Sequence, residues 1–141
     1  MEYTFAQEQK PSIIVSDTDQ SRLTTLATDA LERFPQAAQE LLSEMERAAV
    51  VSAEAVPPNV VQMGSGVVFR SDNGETRRVT LVFPGQADIT AGRISILTPI
   101  GAALIGLSEG QSIAWKTRDG RLRQLTILAV EGVAADAMAQ A

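Results

Sequence analysis

The chain has 141 residues, 45% of them hydrophobic, and a formal net charge of −5, which fits one domain or one small domain with an appendage. It contains no cysteine and no histidine. Disulfides, thiolate nucleophiles, imidazole general bases and His- or Cys-ligated metals are therefore excluded, leaving oxygen ligands for any metal and carboxylates, Lys or Tyr for any proton transfer.

The polar start "MEYTFAQEQK" lacks the basic and then apolar pattern of a secretory leader. The longest apolar stretch, Ile94 to Leu107, contains Pro99 and falls short of the roughly 20 residues needed to cross a bilayer. A cytoplasmic location is expected. Charge is uneven along the chain: nine acids and four bases up to Val51 give −5, and eight of each from Ser52 onward give zero. An acidic front half argues against broad binding to a phosphate backbone. It favours a partner with a basic or channel-like surface.

Residues 1–10 read as a loose arm, and "PSIIV" (11–15) as an extended lead-in. "SDTDQSRL" then has the form of a helix start, with Ser16 or Asp17 as cap and capping-box spacing from Asp17 to Gln20. Leu23, Leu26, Ala27, Ala30 and Leu31 recur at three-and-four spacing, the apolar stripe of one helix. Pro35 is expected to end it. Ala38, Leu41, Leu42, Met45, Ala48 and Ala49 make a second stripe, so the pair predicts a short antiparallel helical hairpin. "SAEAVPPNVV" reads as a linker. Beyond it the period changes to strands: "VQMGSGVVFRS" and "ETRRVTLVFP" around Asn73-Gly74, then "RISIL", then "QSIAWKT" and "LRQLTILAV" around Asp119-Gly120. A short helix over "PIGAALIGL", opened by Pro99, is inserted after the third strand.

The predicted fold class is α+β, a short N-terminal helical hairpin or coiled coil followed by an antiparallel β domain with one inserted helix. The expected boundaries are an arm at 1–15, the hairpin at 16–52, a linker at 53–62, the β domain at 63–131 and a tail at 132–141. Gly101 and Gly106 match neither a dinucleotide fingerprint nor a P-loop. Glu40 and Glu44 read as a solvated face supporting Arg47, and Asp72 and Asp119 as turn residues. Trp115 reads as core, and Arg77, Arg78, Arg118, Arg121 and Arg123 as scattered charge on a solvated sheet face. No catalytic constellation, metal site or cofactor site emerges, and a binding protein is favoured over an enzyme.

"RISILTPIGAALIGLSEGQSIAWKTRDG" resembles the C-terminal domain of the Gre transcript-cleavage factors. The resemblance is carried by Ile94-Ser95-Ile96, Thr98-Pro99-Ile100, Ala102-Ala103-Leu104, Gly106 and Asp119-Gly120. "PSIIVSDTDQSRL" and "VPPNVVQMGSGVVFR" add a resemblance to the regulator of nucleoside diphosphate kinase family, a Gre-like group, over roughly residues 11–130. The resemblance implies a topology like that of FK506-binding proteins for the β domain. It also implies docking on RNA polymerase at the rim of the secondary channel, with Thr98, Pro99 and Ile100 at the position of the family's docking segment. The hairpin here is short, and its tip, "LERFPQ", carries Glu32 without a close acidic partner. The expected function is a non-enzymatic transcription regulator that competes with longer-armed Gre-type factors without stimulating cleavage. Two alternatives stay open: a cleavage or elongation factor using hairpin acids with magnesium, and a stand-alone folding module.

Overall fold

The computed structural model describes residues 10–117 and 119–133. The first strand, β1 (Ile14–Ser16), runs directly into α1 (Asp17–Ala30). Of the two candidate caps, Ser16 takes the role, its hydroxyl oxygen accepting the Asp19 N–H at 3.0 Å. Asp17 and Asp19 lie in the first turn, where the helix dipole favours negative charge. Leu23, Ala27 and Ala30 of the expected stripe are buried. The helix stops at Ala30 and the chain turns through Leu31–Phe34, whose last amide donates to the Ala30 carbonyl at 2.8 Å.

Pro35 does not end the first helix; it opens the second, α2 (Pro35–Arg47), at the first helical position. There a missing N–H leaves no bond unmade and the fixed φ already suits a helix. Ala38, Leu41 and Met45 are buried as the stripe requires. Ala48 and Ala49 leave the helix they were expected to complete. Ala48 takes extended dihedrals (φ −73°, ψ 145°), and Ala49–Val51 becomes β2, pairing in parallel with β1. The β-branched Val50 and Val51 suit a strand better than a helical C-terminus.

The larger sheet contains β3 (Ser65–Ser71), β4 (Thr76–Val82), β5 (Arg93–Ser95), β6 (Ser112–Lys116) and β7 (Leu122–Val133), in the order β5-β4-β3-β7-β6. It is not wholly antiparallel, because β5 runs parallel to β4 with Thr80 opposite Arg93 and Val82 opposite Ser95. Two single-turn 3-10 helices, Pro84–Gln86 and Ile89–Ala91, occupy the connection. They bring the chain back to the level of Thr80 before β5 begins. Both hairpins predicted from Asn73-Gly74 and Asp119-Gly120 are present, with Gly74 and Gly120 at positive φ.

Alternation along the strands buries Val67 and Phe69, Val79 and Leu81, Ile113, Leu125 and Ile127. These side chains join one continuous cluster with Ile13, Leu23, Leu41 and Met45 from the helical segment. The inserted helix, α3 (Pro99–Leu104), adds Ala102, Ala103 and Leu104 to it. The architecture is thus mixed α+β, with helices and sheet sharing a core. At α3's end, Gly106 (φ 82°) donates to the Val61 carbonyl and accepts from the Ile14 amide, tying the two segments together. A Cβ on Gly106 would lie 2.8 Å from that of Ile13. No helix of the described residues is long and apolar enough to cross a membrane.

Candidate functional site

The Thr98-Pro99-Ile100 segment is held by hydroxyl side chains bonded to the backbone around it. Thr98 caps α3, its hydroxyl accepting the Gly101 N–H at 3.0 Å and donating to the Ser95 carbonyl at 2.7 Å. One lone pair of that hydroxyl remains for an outside donor. The Ser95 hydroxyl oxygen accepts the Leu97 N–H at 3.0 Å, fixing the entry to the turn. Gly101 lets the helix start fold back this closely, since a Cβ there would collide with the Ser95 carbonyl oxygen. Thr98, Pro99 and Ile100 are each half-buried.

They form one wall of a groove of about 560 Å³, within the size range of a binding cleft. Val79, Ile94 and Trp115 supply further apolar surface, and Ile89 projects at the margin with 83% of its surface exposed. Arg77, Arg121 and Arg123 line the same groove. Alternation explains their arrival, because side chains two apart on a strand share a face. Arg77 follows the parity of Val79 and Leu81, and Arg121 and Arg123 that of Leu125 and Ile127. Trp115 follows Ile113 and sits opposite Arg123. The face that buries the core therefore continues past the edge of α3 and ends in arginines. These cations are gathered on that face, where Arg77 and Arg121 are exposed, as expected, and Arg123 is half-buried. Arg118 lies outside the described residues. Trp115, expected in the core, is only half-buried, and its indole N–H is shielded from solvent without an acceptor among the described residues.

Of the carboxylates around the groove, Asp72 binds one of these guanidinium groups directly, and Asp119 binds mainly within its own turn. Asp72 accepts from Arg123 at 2.9 Å and from the Gln124 N–H at 3.1 Å. The Arg123 bond first, then the Gln124 amide, holds its carboxyl below the usual Asp range. The Thr117 hydroxyl and the Arg121 N–H lower Asp119 in the same way. Both were expected as turn residues; Asp119 does stabilise its turn, whereas Asp72 also crosses to a neighbouring strand. Arg78 reaches the groove too, but its guanidinium binds Glu131, and both groups approach Gly66 on the opposite face.

A second cleft, about 420 Å³, separates α2 from the sheet edge. Gln36, Glu40 and Ser43 line its helical side and Ala114, Trp115, Lys116 and Leu122 its sheet side. Burial pushes the Glu40 carboxyl up, with Gln36, Lys10 and Lys116 opposing. Glu44 does not lie on a solvated face. It is 5% exposed and pairs with Arg47 at 2.7 Å and Lys10 at 3.4 Å. The stripe logic missed this because Arg47 also donates to the Pro11 carbonyl, so the N-terminal segment covers that side of the helix. In the turn between α1 and α2, Phe34 is half-exposed with the Arg33 guanidinium 5.7 Å from its ring centre. Among the described residues no three carboxylates stand close enough to hold a metal ion.

Arginine-rich positions in phase with buried strand residues were thus the overlooked signal. The rows Arg77-x-Val79-x-Leu81 and Arg121-x-Arg123-x-Leu125-x-Ile127 carry it without reference to any structure.

Comparison with known proteins adds to this geometry. Residues 56–132 match the family described as "Transcription elongation factor, GreA/GreB, C-term", and residues 11–51 match "Rnk N-terminus". The "Regulator of nucleoside diphosphate kinase" of Escherichia coli (strain K12) is 37% identical over 86% of this chain and 90% of its own length. "Transcription elongation factor GreA" of Nitratidesulfovibrio vulgaris is 34% identical over 64% of this chain and 58% of its own. Among solved structures, a "Prokaryotic transcription elongation factor GreA/GreB from Nitrosomonas europaea" superposes with a TM-score of 0.68 at 39% identity, covering 86% of this chain and 99% of that one. An N-terminal helical segment of one kind and a Gre-type sheet of another, in this order and over this length, mean that the chain belongs to the regulator of nucleoside diphosphate kinase family within the Gre-like transcription factors.

Proposed function

We propose that the chain is a cytoplasmic transcription regulator that binds RNA polymerase at the rim of the secondary channel and competes there with Gre-type factors without stimulating transcript cleavage. The observation that carries this reading is the rigid Thr98-Pro99-Ile100 wall of an open, partly apolar groove. A half-buried proline and isoleucine on a fixed turn can anchor a partner at little ordering cost. Membership of a Gre-like family supports polymerase as the partner, and the relatives bear regulator or elongation-factor names rather than those of enzymes.

The hairpin supports a role without cleavage. Its two helices, of 14 and 13 residues, are each about 20 Å long at 1.5 Å per residue. Their buried faces belong to the core shared with the sheet, so little of the hairpin is free to reach an active centre. Its tip offers Glu32, Arg33 and an exposed Phe34, a poor set of ligands for magnesium, which favours carboxylate and water oxygens.

The test is binding of the purified chain to core polymerase, wild type against Pro99→Asp, with a Gre factor as competitor. Wild type is expected to bind and to be displaced by the Gre factor. The charged variant is expected to stay folded and lose about 2 kcal/mol or more, the size of a hot-spot loss. Equal binding by both proteins would remove the Thr98-Pro99-Ile100 wall from the interface. Stalled complexes should show no magnesium-dependent shortening of RNA, and its appearance would restore the hairpin acids as catalytic candidates.

A further inference from the structure

The groove bears a charge opposite in sign to that of the chain. Four arginines line it. Arg78 is turned to Glu131, and Arg77, Arg121 and Arg123 stand against Asp119 and the Asp72 bound to Arg123, so three minus two leaves +1 on a protein whose net charge is −5. The three cations are not equivalent. Arg123 is held by Asp72 at 2.9 Å. Arg121 is mostly exposed, and its guanidinium lies 4.0 Å from Asp119, whose carboxylate already accepts the Thr117 hydroxyl and the Arg121 N–H. Arg77 is exposed and forms no ion pair within the described residues. The two least engaged guanidinium groups therefore come from β4 and from the turn before β7, on opposite sides of β3. Between them and α3 lies the apolar surface of Val79, Ile94 and Trp115.

Guanidinium forks beside an apolar floor match carboxylates that flank an apolar side chain, because the fork pairs with both carboxylate oxygens. We propose that the segment seated in this groove is an acidic, apolar-centred stretch of the partner protein, and that Arg77 and Arg121 determine the preference for it. The identity of the partner rests on the polymerase reading above; the inference adds the chemistry of the segment it presents. Its apolar residue packs on Pro99 and Ile100, and its carboxylates meet Arg77 and Arg121. Arg123, already held by Asp72, positions the β7 side of the groove. Such a patch also steers: an acidic protein approaching an acidic partner segment would otherwise be repelled.

The deciding experiment measures affinity of the full chain for core polymerase at low and high salt, comparing wild type, Arg77→Glu, Arg121→Glu, Arg77→Lys and Pro99→Asp. Both arginines are exposed, so melting curves should coincide with that of wild type. Each charge reversal is expected to weaken binding about 10-fold at low salt, and by much less at high salt where the ions are screened. Arg77→Lys should fall between wild type and Arg77→Glu, since it keeps the charge but loses the fork that pairs with both carboxylate oxygens. Wild-type affinity in both reversals, with Pro99→Asp still defective, would overturn the acidic-segment inference and leave the polymerase reading standing. Failure of the wild type itself to bind would remove both. A short single-stranded RNA added as competitor should leave binding unchanged. Displacement by it, lost in the reversals, would mean that the groove takes a phosphate backbone and would overturn the inference on that ground.

Discussion

Glu44 of α2 and Arg77 of β4 are both charged, and both share a face with buried apolar neighbours, yet they end in opposite states. Glu44 is enclosed and answered by two cations, Arg47 three residues away and Lys10 from the preceding segment. Arg77 lies where α3 no longer covers the sheet and has no carboxylate to answer it among the described residues. A buried charge must find partners within its own chain, whereas an exposed one can await a partner from outside. The helical region uses its ions to close its root, and the sheet keeps two of its own accessible. Net charge alone, −5 at the front and zero behind, points attention to the wrong region.

The sharpest way to break the comparison is to ask whether the two regions are separable. Leu41→Ala in α2 and Phe69→Ala in β3 both remove side chains from one cluster. Each should cost about 2–5 kcal/mol and shift a single cooperative transition, read by urea unfolding with helix- and tryptophan-sensitive probes. Two separated transitions would show that the hairpin melts by itself. Next in size is the charge contrast. Glu44→Ala leaves Arg47 and Lys10 unanswered and is expected to destabilise by about 2–3 kcal/mol. Arg77→Ala should stay within about 0.5 kcal/mol, as for a surface substitution, and equal losses in the two variants would end the distinction drawn between them.

The smallest effect is in the acid limb. The Asp72 carboxyl is held below its ordinary value of 3.8 by Arg123 and the Gln124 amide. The folded state then binds that proton less readily than the unfolded one. The contribution is present above the unfolded value and is lost as pH falls through 3.8 toward the lower folded one. Asp72→Asn should flatten stability against pH in that acid range, with its small cost present at neutral pH and gone in acid. Asp19 works in the other direction: burial raises its carboxyl, partly offset by the Met63 amide and Arg22. Its contribution is complete below the unfolded value and declines as pH rises to the folded one.

Much of the helical region was legible because its determinants are local. The Ser16 cap and the stripes of Leu23, Ala27, Leu41 and Met45 depend on neighbours three or four residues away. Both hairpin turns were legible for the same reason. Ala49–Val51 was misread because its strand pairing depends on Ile14–Ser16, more than thirty residues earlier. The parallel placing of β5 was hidden in a connection of two 3-10 turns with no strong periodicity. In the groove, Thr98-Pro99-Ile100 could be singled out from the sequence. The company it keeps could not, since Arg77 and Arg123 meet it only after strands from distant parts of the chain pair. Half of that assembly was still written in the alternation of arginine with valine, leucine and isoleucine.

Trp115 is the one tryptophan of the chain, and it walls both the groove and the cleft beside α2. The protein therefore carries its own optical gauge at the seam between its helices and its sheet. Ultraviolet emission from this single ring, unmixed with that of any other indole in the chain, follows whatever changes the polarity on either side of it. A peptide entering the groove and a helix lifting from the sheet would both register there without an added dye. Light from one residue would thus report on occupancy of the groove on one flank and on cohesion on the other.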